Sequence, residues 1–436
     1  GFQGIGSVNQ TEVGNADIAG QLTLGSGFGG VGNYLLDGPA TLTAGQTRIV
    51  NGQFTNQTGR VAGRHETGLL ELGEDAIYLM QAGRLAVSDG IDIRPGGSFE
   101  QEAGRVLVAG GDVVLGGSAS GTASYTVDSP SDQTALEISA GGLMIGAAGG
   151  DGRFTQGDGT NIFVQGPLVL GYQQIELPRP QPTGEAGSGA YVMEGGGLTA
   201  DRLHLGDHGA SLAVAATSSF TQEGGIVEIE GVAVLGNGFY IIEGEDSIFR
   251  STASPAGTLE VLYGENALIV GGVVNPALDS IRPPNSLFQQ LGGRVVVDGD
   301  LAISAISRAN GTYSIADGTL NVSRDMAIGI EGAPGFDATG LFAHRGGIVT
   351  VSDTVEVIRG RYLLEDGELT AGDIDVYESG DFDHSGGTWT VSDETFQNSG
   401  RYNILPGGEK VGRGTLVNDG TVTILSLIHI SEPTRL

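Results

Sequence analysis

The sequence predicts an all-β chain that winds into a single right-handed parallel β-helix, with rungs of about 20 residues, about three short strands in each rung and almost no helix. Three observations support this fold class. Glycine makes up 78 of the 436 residues, far above its usual share of about 7%. Two aromatic-led sequence patterns alternate along the chain, and the segments between glycines alternate apolar with polar residues.

The repeat has a Phe version and a Tyr version. The Phe version is clearest at 220–236 (FTQEGGIVEIEGVAVLG) and the Tyr version at 362–371 (YLLEDGELTA). They alternate as 16 units that begin at Val8, Tyr34, Phe54, Tyr78, Phe99, Tyr125, Phe154, Tyr191, Phe220, Tyr240, Phe288, Tyr313, Phe342, Tyr362, Phe382 and Tyr402. The shortest spacing, from 342 to 362 for example, is 20 residues. Longer spacings therefore contain a 20-residue core with insertions.

Each unit has the pattern of short strands. The segments 226–235 and 295–303 alternate apolar with polar residues and are interrupted by glycine, which is typical of strands joined by tight corners. No segment has an apolar stripe of helical period with caps, so we expect almost no helix. A lone rung cannot bury its apolar face, but rungs stacked about 4.8 Å apart form a continuous core.

The residue two positions after the aromatic distinguishes the two versions. It is polar in the Phe version and apolar in the Tyr version; the polar set is Gln10, Asn56, Gln101, Gln156, Gln222, Gln290, His344 and His384. Either neighbouring rungs differ, or one turn takes about 40 residues and the amides stack on one another as a ladder. We favour 20-residue rungs, because 20 residues already provide three strands and three corners.

Composition excludes several partners and sites. The chain carries 52 acidic and 21 basic residues, a net charge of −31, so nucleic acid and anionic membranes are excluded as main partners. The chain has no cysteine, which removes disulfides, thiolate metal sites and cysteine nucleophiles. No apolar run reaches the ~18 residues of a membrane-spanning helix. The sequence does not predict an oligomeric state.

The C-terminal residues break the pattern. Residues 425–435 read LSLIHISEPTR, which is similar to a translated sequencing adapter. We therefore divide the chain into a continuous solenoid over 1–424 and a non-native tail over 425–436. We expect the solenoid to be truncated at both ends, so that its export signal and anchor lie outside this sequence.

Most insertions follow the third strand of a unit and precede the next aromatic. They occupy 25–33, 116–124, 171–190, 206–219, 271–287 and 329–341. In a solenoid they share one corner and line one edge, which is where such proteins bind ligands. The alternative is that loops tolerate insertion because longer loops cost little.

Candidate catalytic and metal-binding residues are few. Asp298 with Asp300, and Asp373 with Asp375, could place paired carboxylates on one strand face for acid–base chemistry; alternatively they belong to the acidic residues that face outward on every strand. No residue is assigned a catalytic role.

His204 and His208 are four apart, but Gly206 and Asp207 predict a turn, so the helical metal spacing does not apply. His344 and His384 occupy the polar position of the repeat, which indicates a structural role. No cofactor is predicted. Calcium is the alternative because of the loop aspartates, although the segment 317–320 (DGTL) also fits a plain turn.

The units resemble the glycine-rich repeats of autotransporter-type passenger regions and of PEP-CTERM-sorted bacterial surface proteins. The closest matches are 220–225 (FTQEGG) and 400–402 (GRY), and the resemblance covers most of 8–424. It implies export to the bacterial surface or exterior and an adhesive or structural role. We therefore expect a non-enzymatic solenoid whose loops at one edge bind polysaccharide or another surface. The alternatives are a polysaccharide lyase or hydrolase on the same scaffold, and a purely structural spacer.

Overall fold

A computed structural model of the chain describes residues 5–11, 13–25, 29–57, 63–116, 121–128, 134–147, 150–172, 187–206, 218–236, 238–252, 266–270, 285–304, 310–329, 339–407 and 410–424. The predicted tail over 425–436 and most residues of the insertions lie outside these ranges. Within them the chain forms strands and turns and no helix, as predicted. Accordingly, no helix in the described ranges is long and apolar enough to cross a membrane.

The described strands all belong to one sheet. In chain order they are β1 Ile5–Gln10, β2 Asn15–Leu24, β3 Val31–Asp37, β4 Thr41–Gln57, β5 Arg64–Met80, β6 Arg84–Ile93, β7 Ser98–Gln101, β8 Arg105–Val108, β9 Val113–Gly116, β10 Thr122–Val127, β11 Thr134–Ile138, β12 Leu143–Ala147, β13 Asp151–Gln156, β14 Asn161–Tyr172, β15 Gly189–Met193, β16 Gly197–Leu205, β17 Ser218–Gln222, β18 Ile226–Ile229, β19 Ala233–Leu235, β20 Gly238–Ile242, β21 Ile248–Thr252, β22 Asn266–Val270, β23 Asn285–Gln290, β24 Arg294–Asp298, β25 Asp300–Ile303, β26 Asn310–Ile315, β27 Thr319–Val322, β28 Met326–Ile328, β29 Thr339–His344, β30 Ile348–Val357, β31 Gly360–Leu364, β32 Glu368–Val376, β33 Asp381–His384, β34 Gly387–Asn398, β35 Arg401–Ile404, β36 Lys410–Asn418 and β37 Thr421–Ile424.

Every rung contributes to three parallel faces. Face 1 carries the aromatic position, face 2 the next strand segment (Ile226–Ile229 in one rung) and face 3 the third (Ala233–Leu235). Corner A joins faces 1 and 2, corner B joins faces 2 and 3, and corner C joins face 3 to face 1 of the next rung. Several strands run through a corner without a break, so β4 spans 17 residues, longer than the four or five that the sequence predicts.

The register confirms the rung of about 20 residues. Phe220 pairs with Tyr191 on one side and with Tyr240 on the other, so Phe and Tyr units alternate along one stack. The same register runs from Val8, which pairs with Tyr34, to Tyr402, which pairs with Val422. Val422 thus occupies a seventeenth aromatic position, one more than the sequence pattern revealed. The alternative of a 40-residue turn with stacked amides is wrong.

The aromatic side chains form a continuous column in the core. From Tyr34 to Phe382 each ring stacks on the next, with centroids 4.4 to 5.2 Å apart. The strand spacing imposes this separation, since neighbouring strands lie about 4.8 Å apart. Leu, Ile and Val residues from faces 2 and 3 fill the rest of the core.

A buried hydrogen-bond network explains why Phe alternates with Tyr. Each glutamine of the Phe version accepts a hydrogen bond through Oε1 from the tyrosine hydroxyl of the following rung. The O–O distances are 2.7 Å for Tyr34–Gln10, 3.0 Å for Tyr125–Gln101, 2.6 Å for Tyr191–Gln156, 2.9 Å for Tyr240–Gln222 and 2.9 Å for Tyr313–Gln290. A buried hydroxyl without an acceptor costs free energy, so a Tyr rung needs a polar residue in the rung before it.

The glutamine amides also tie corner A together. Gln222 Nε2 donates to the carbonyl of Gly225 in its own rung at 2.9 Å and to the carbonyl of Ile248 in the next rung at 3.1 Å. Gln101 Nε2 repeats this arrangement with Gly104 and Ala135. Each glutamine therefore satisfies all of its polar atoms inside a core that excludes water.

One Phe rung departs from this pattern. Asn56 is fully buried, but its shorter side chain makes no hydrogen bond with the described residues. The hydroxyl of Tyr78 in the following rung instead lies 3.0 Å from Nδ1 of His65, whose Nε2 lies 3.0 Å from the Thr47 hydroxyl. Burial lowers the pKa of His65 to about 3, so this histidine is neutral at pH 7.

Candidate functional site

An open groove of about 450 Å³ lies at corner C, near the C-terminal end of the described solenoid. Its lining contains three arginines and one aspartate, together with small residues: Thr339, Gly340, Arg359, Gly360, Arg361, Ser379, Asp381 and Arg401. Three arginines are a strong local concentration in a chain with 21 basic and 52 acidic residues. The groove is therefore a cationic concavity on an acidic rod.

The tight corner places these arginines on the outside. A Cβ atom at Gly360 would lie 2.5 Å from the carbonyl oxygen of Gly340 and 2.8 Å from the Ile328 side chain. Only glycine fits this approach, so the flanking residues Arg359 and Arg361 bear the side chains that line the groove. In the neighbouring rungs Asp381 pairs with Arg361 on one side and with Arg401 on the other.

Ion pairs orient two of the arginines. Arg401 binds both carboxylate oxygens of Asp381, with an Nη2–Oδ2 distance of 2.7 Å. Arg361 pairs with the buried carboxylate of Asp383, which also accepts a hydrogen bond of 2.7 Å from Asn403 Nδ2. Arg361 and Arg401 remain 47% and 62% exposed. Guanidinium groups held in this way can bind a carboxylate or sulfate through paired N–H donors.

The structure places Asp373 and Asp375 on one face of β32, as the sequence predicts. Asp373 Oδ1 accepts hydrogen bonds from the backbone N–H of Thr395 at 3.1 Å and from its hydroxyl at 3.2 Å. Burial, with a smaller effect of Asp373, raises the pKa of Asp375. Asp373 therefore caps the backbone of the next rung at corner B.

The pair of Asp298 and Asp300 is different from the one predicted. Asp298 ends β24 and Asp300 begins β25, so the two flank corner B and do not share a strand. Asp298 accepts a hydrogen bond of 3.2 Å from the Ser323 hydroxyl, and Asp300 accepts one of 3.3 Å from the backbone N–H of Asp325. Burial raises the pKa of Asp300. These contacts again join one rung to the next.

His344 and His384 have the structural role that their position predicts. Each places Nδ1 near the tyrosine hydroxyl of the following rung, at 3.0 Å from Tyr362 and 3.1 Å from Tyr402. Each places Nε2 near the carbonyl of a corner glycine, at 3.3 Å from Gly347 and 3.1 Å from Gly387. A neutral ring protonated on Nε2 satisfies both contacts, so histidine substitutes for glutamine.

The remaining candidates are less informative. His204 lies on β16, and His208 lies outside the described residues. Asp317 Oδ1 accepts a hydrogen bond of 2.7 Å from the N–H of Gly318, the geometry of a plain turn. No group of three or more His, Cys, Asp or Glu residues in the described ranges is arranged to hold a metal ion.

The groove lies at the corner that the insertions also use, but its lining comes from rungs near the 20-residue minimum. Sequence reasoning missed it, because it looked for carboxylates and loops. A signal was present: Arg359-Gly-Arg361 and Gly400-Arg401 both precede a Tyr position, and Asp381 precedes the Phe position between them. Writing the rungs under one another would have brought the three arginines together.

No protein-family model, curated protein or solved structure matches this chain. The function must therefore be argued from the chemistry of the site, since a fold alone does not determine it.

Proposed function

We propose that this chain is a non-enzymatic β-solenoid at the bacterial surface or exterior, and that it binds an acidic polysaccharide in the groove at corner C. The observation that carries the proposal is the cluster of Arg359, Arg361 and Arg401 in a chain of net charge −31. Such a groove favours a ligand that presents carboxylate or sulfate groups to guanidinium donors.

The other polar groups support a binding role over a catalytic one. Asp300 and Asp373 accept backbone hydrogen bonds from the next rung, and His344 bonds inside the core. Their roles in holding rungs together account for the residue types without invoking a reaction. The repeats also resemble those of exported bacterial surface proteins, which supports the proposed location.

A glycan array that contains acidic and neutral polysaccharides tests the proposal. The groove variant is Arg359→Gln, Arg361→Gln and Arg401→Gln together. Its matched control is Arg202→Gln, Arg250→Gln and Arg294→Gln together, which changes the net charge equally away from the groove. We expect the wild-type chain and the control to bind acidic glycans and the groove variant to lose at least tenfold in affinity, or about 1.4 kcal/mol.

An assay for new reducing ends and unsaturated uronates runs in parallel on every glycan. Turnover of any polysaccharide would contradict the non-enzymatic role and favour the lyase or hydrolase alternative. Equal losses in the groove and control variants would contradict the assignment of the groove. Absence of binding to every glycan would favour a structural spacer.

A further inference from the structure

A second group of arginines lies far along the rod from the groove, on face 2. Arg64 pairs in register with Arg84, and Arg84 pairs with Arg105. The three occupy the same outward position on consecutive rungs, and all three are exposed. We call Arg64, Arg84 and Arg105 the arginine ladder. With rungs about 4.8 Å apart, the Cα atoms of the ladder span roughly 10 Å along the rod.

The requirements of the fold do not account for this arrangement. Like charges directly opposite one another in a sheet are destabilising, and acidic residues outnumber basic ones 52 to 21 in this chain. Arg64 pairs with Glu66 on its own strand, and Arg105 pairs with Glu137 of the next rung. Arg84, between them, forms no ion pair with the described residues. The central guanidinium therefore keeps its donors available.

The surroundings leave room for an extended ligand. Each ladder arginine follows a glycine: Gly63, Gly83 and Gly104. Glycine is required there because a Cβ at Gly83 would lie 2.3 Å from the Gly63 carbonyl, and one at Gly104 would lie 2.5 Å from the Gly83 carbonyl. The ladder is thus bordered on one side by a column without side chains.

On its other side the ladder is bordered by Glu66, Ala86 and Leu107, the next outward residues of the three strands. None of the three is aromatic. Single-stranded nucleic acids bind to proteins by stacking their bases on aromatic side chains, and this face offers no such platform. A polyanion that carries its acidic groups on a sugar backbone fits the face better.

We propose that the arginine ladder binds a linear acidic polysaccharide that lies parallel to the rod axis, with successive acidic groups contacting successive rungs. The choice of ligand class rests on the proposed function, but the ladder shares no residue with the groove. One residue, Arg84, is central: it contacts the ligand without an internal competitor. Binding is multivalent and strongly dependent on salt.

The test measures binding of polygalacturonate, and separately of its monomer, to the full chain by calorimetry at several salt concentrations. The ladder variants are Arg84→Gln and the triple variant Arg64→Gln/Arg84→Gln/Arg105→Gln. The matched control is Arg294→Gln, which removes an exposed arginine from the same face at a position flanked by Ile248 and Thr319. The groove variant described above is measured alongside, and circular dichroism confirms that every variant folds.

We expect Arg84→Gln to weaken polymer binding about tenfold and the triple variant about a hundredfold or more, with a shallower salt dependence. The control should match the wild type, and the monomer should bind far more weakly than the polymer. Unchanged binding in the triple variant, or an equal loss in the control, would overturn the proposal. If only the groove variant loses binding, the proposed function stands and the ladder assignment fails.

A single-stranded DNA oligonucleotide serves as a second polyanion. It should bind more weakly than polygalacturonate. Tighter binding of DNA that depends on Arg84 would overturn the polysaccharide assignment and identify the ladder as a nucleic acid site.

Discussion

The hydroxyl of Tyr240 donates a hydrogen bond of 2.9 Å to Oε1 of Gln222, which lies in the rung before it. Both side chains are fully buried. This contact links the two versions of the repeat, because the tyrosine of one rung requires the polar residue of the other. It predicts that the two residues are energetically coupled.

Replacing Gln222 by Leu should destabilise the rungs around it by about 1–3 kcal/mol, since Tyr240 loses its acceptor inside the core. Tyr240→Phe should cost a similar amount, because Oε1 of Gln222 then lacks its donor. The double variant should be more stable than the sum of the two losses predicts. Urea unfolding of all four proteins measures the coupling, with Thr221→Val, at an outward position of the same strand, as the control. Strictly additive losses would show that the contact does not link the rungs.

His344 should make stability dependent on pH. Burial lowers its pKa to about 4, against a smaller opposite effect of the Gly347 carbonyl and Asp366. The unfolded chain, with a histidine pKa near 6.5, therefore binds protons before the folded chain does as the pH falls. The stabilisation is complete above about pH 6.5 and is lost progressively down to about pH 4, with a loss of about 2 kcal/mol between pH 7 and 5.

His344→Gln tests this prediction, because it restores the residue that other Phe rungs use. The variant should lose about 2 kcal/mol less than the wild type between pH 7 and 5, measured by urea unfolding at both values. At pH 7 the two proteins should have similar stability. An identical loss in the variant would show that His344 is not the titrating group.

Asn56→Leu should stabilise the chain. The change replaces a buried amide that has no hydrogen bond in the described structure with the apolar residue that Tyr rungs carry at this position. Removing an unsatisfied buried polar group should gain about 1–3 kcal/mol, visible as a higher melting temperature. The matched change Gln290→Leu removes a satisfied amide and should have the opposite sign. A loss of stability in both variants would indicate that Asn56 has a partner.

Much of the fold could be predicted from the sequence, because each rung repeats the same chemistry. The aromatic positions from Val8 to Tyr402 gave the register directly. The alternation between polar residues such as Gln222 and apolar ones such as Ile242 was also visible. Its cause was not, since a hydrogen bond between Tyr240 and Gln222 depends on which rungs are neighbours.

The sites were harder to predict for the same reason. Arg64, Arg84 and Arg105 lie 10, 6 and 6 residues after their aromatic positions, so an extra segment in the first of these rungs hides their common register. His65 occupies an inward position that apolar residues fill in the neighbouring rungs, and no pattern of spacing marks it. Asp298 and Asp300 look like a pair on one strand until corner B separates them.

The central claim is that each turn takes about 20 residues, so that Phe and Tyr units alternate in one stack. Thr221 pairs in register with Ile241, and Ile241 pairs with Gln289. The chain has no cysteine, so paired cysteines can be introduced at these outward positions without background. Thr221→Cys/Ile241→Cys should form a disulfide on mild oxidation, because adjacent strands lie about 4.8 Å apart. Thr221→Cys/Gln289→Cys, two rungs apart, should not; a disulfide in the second protein and none in the first would contradict the account.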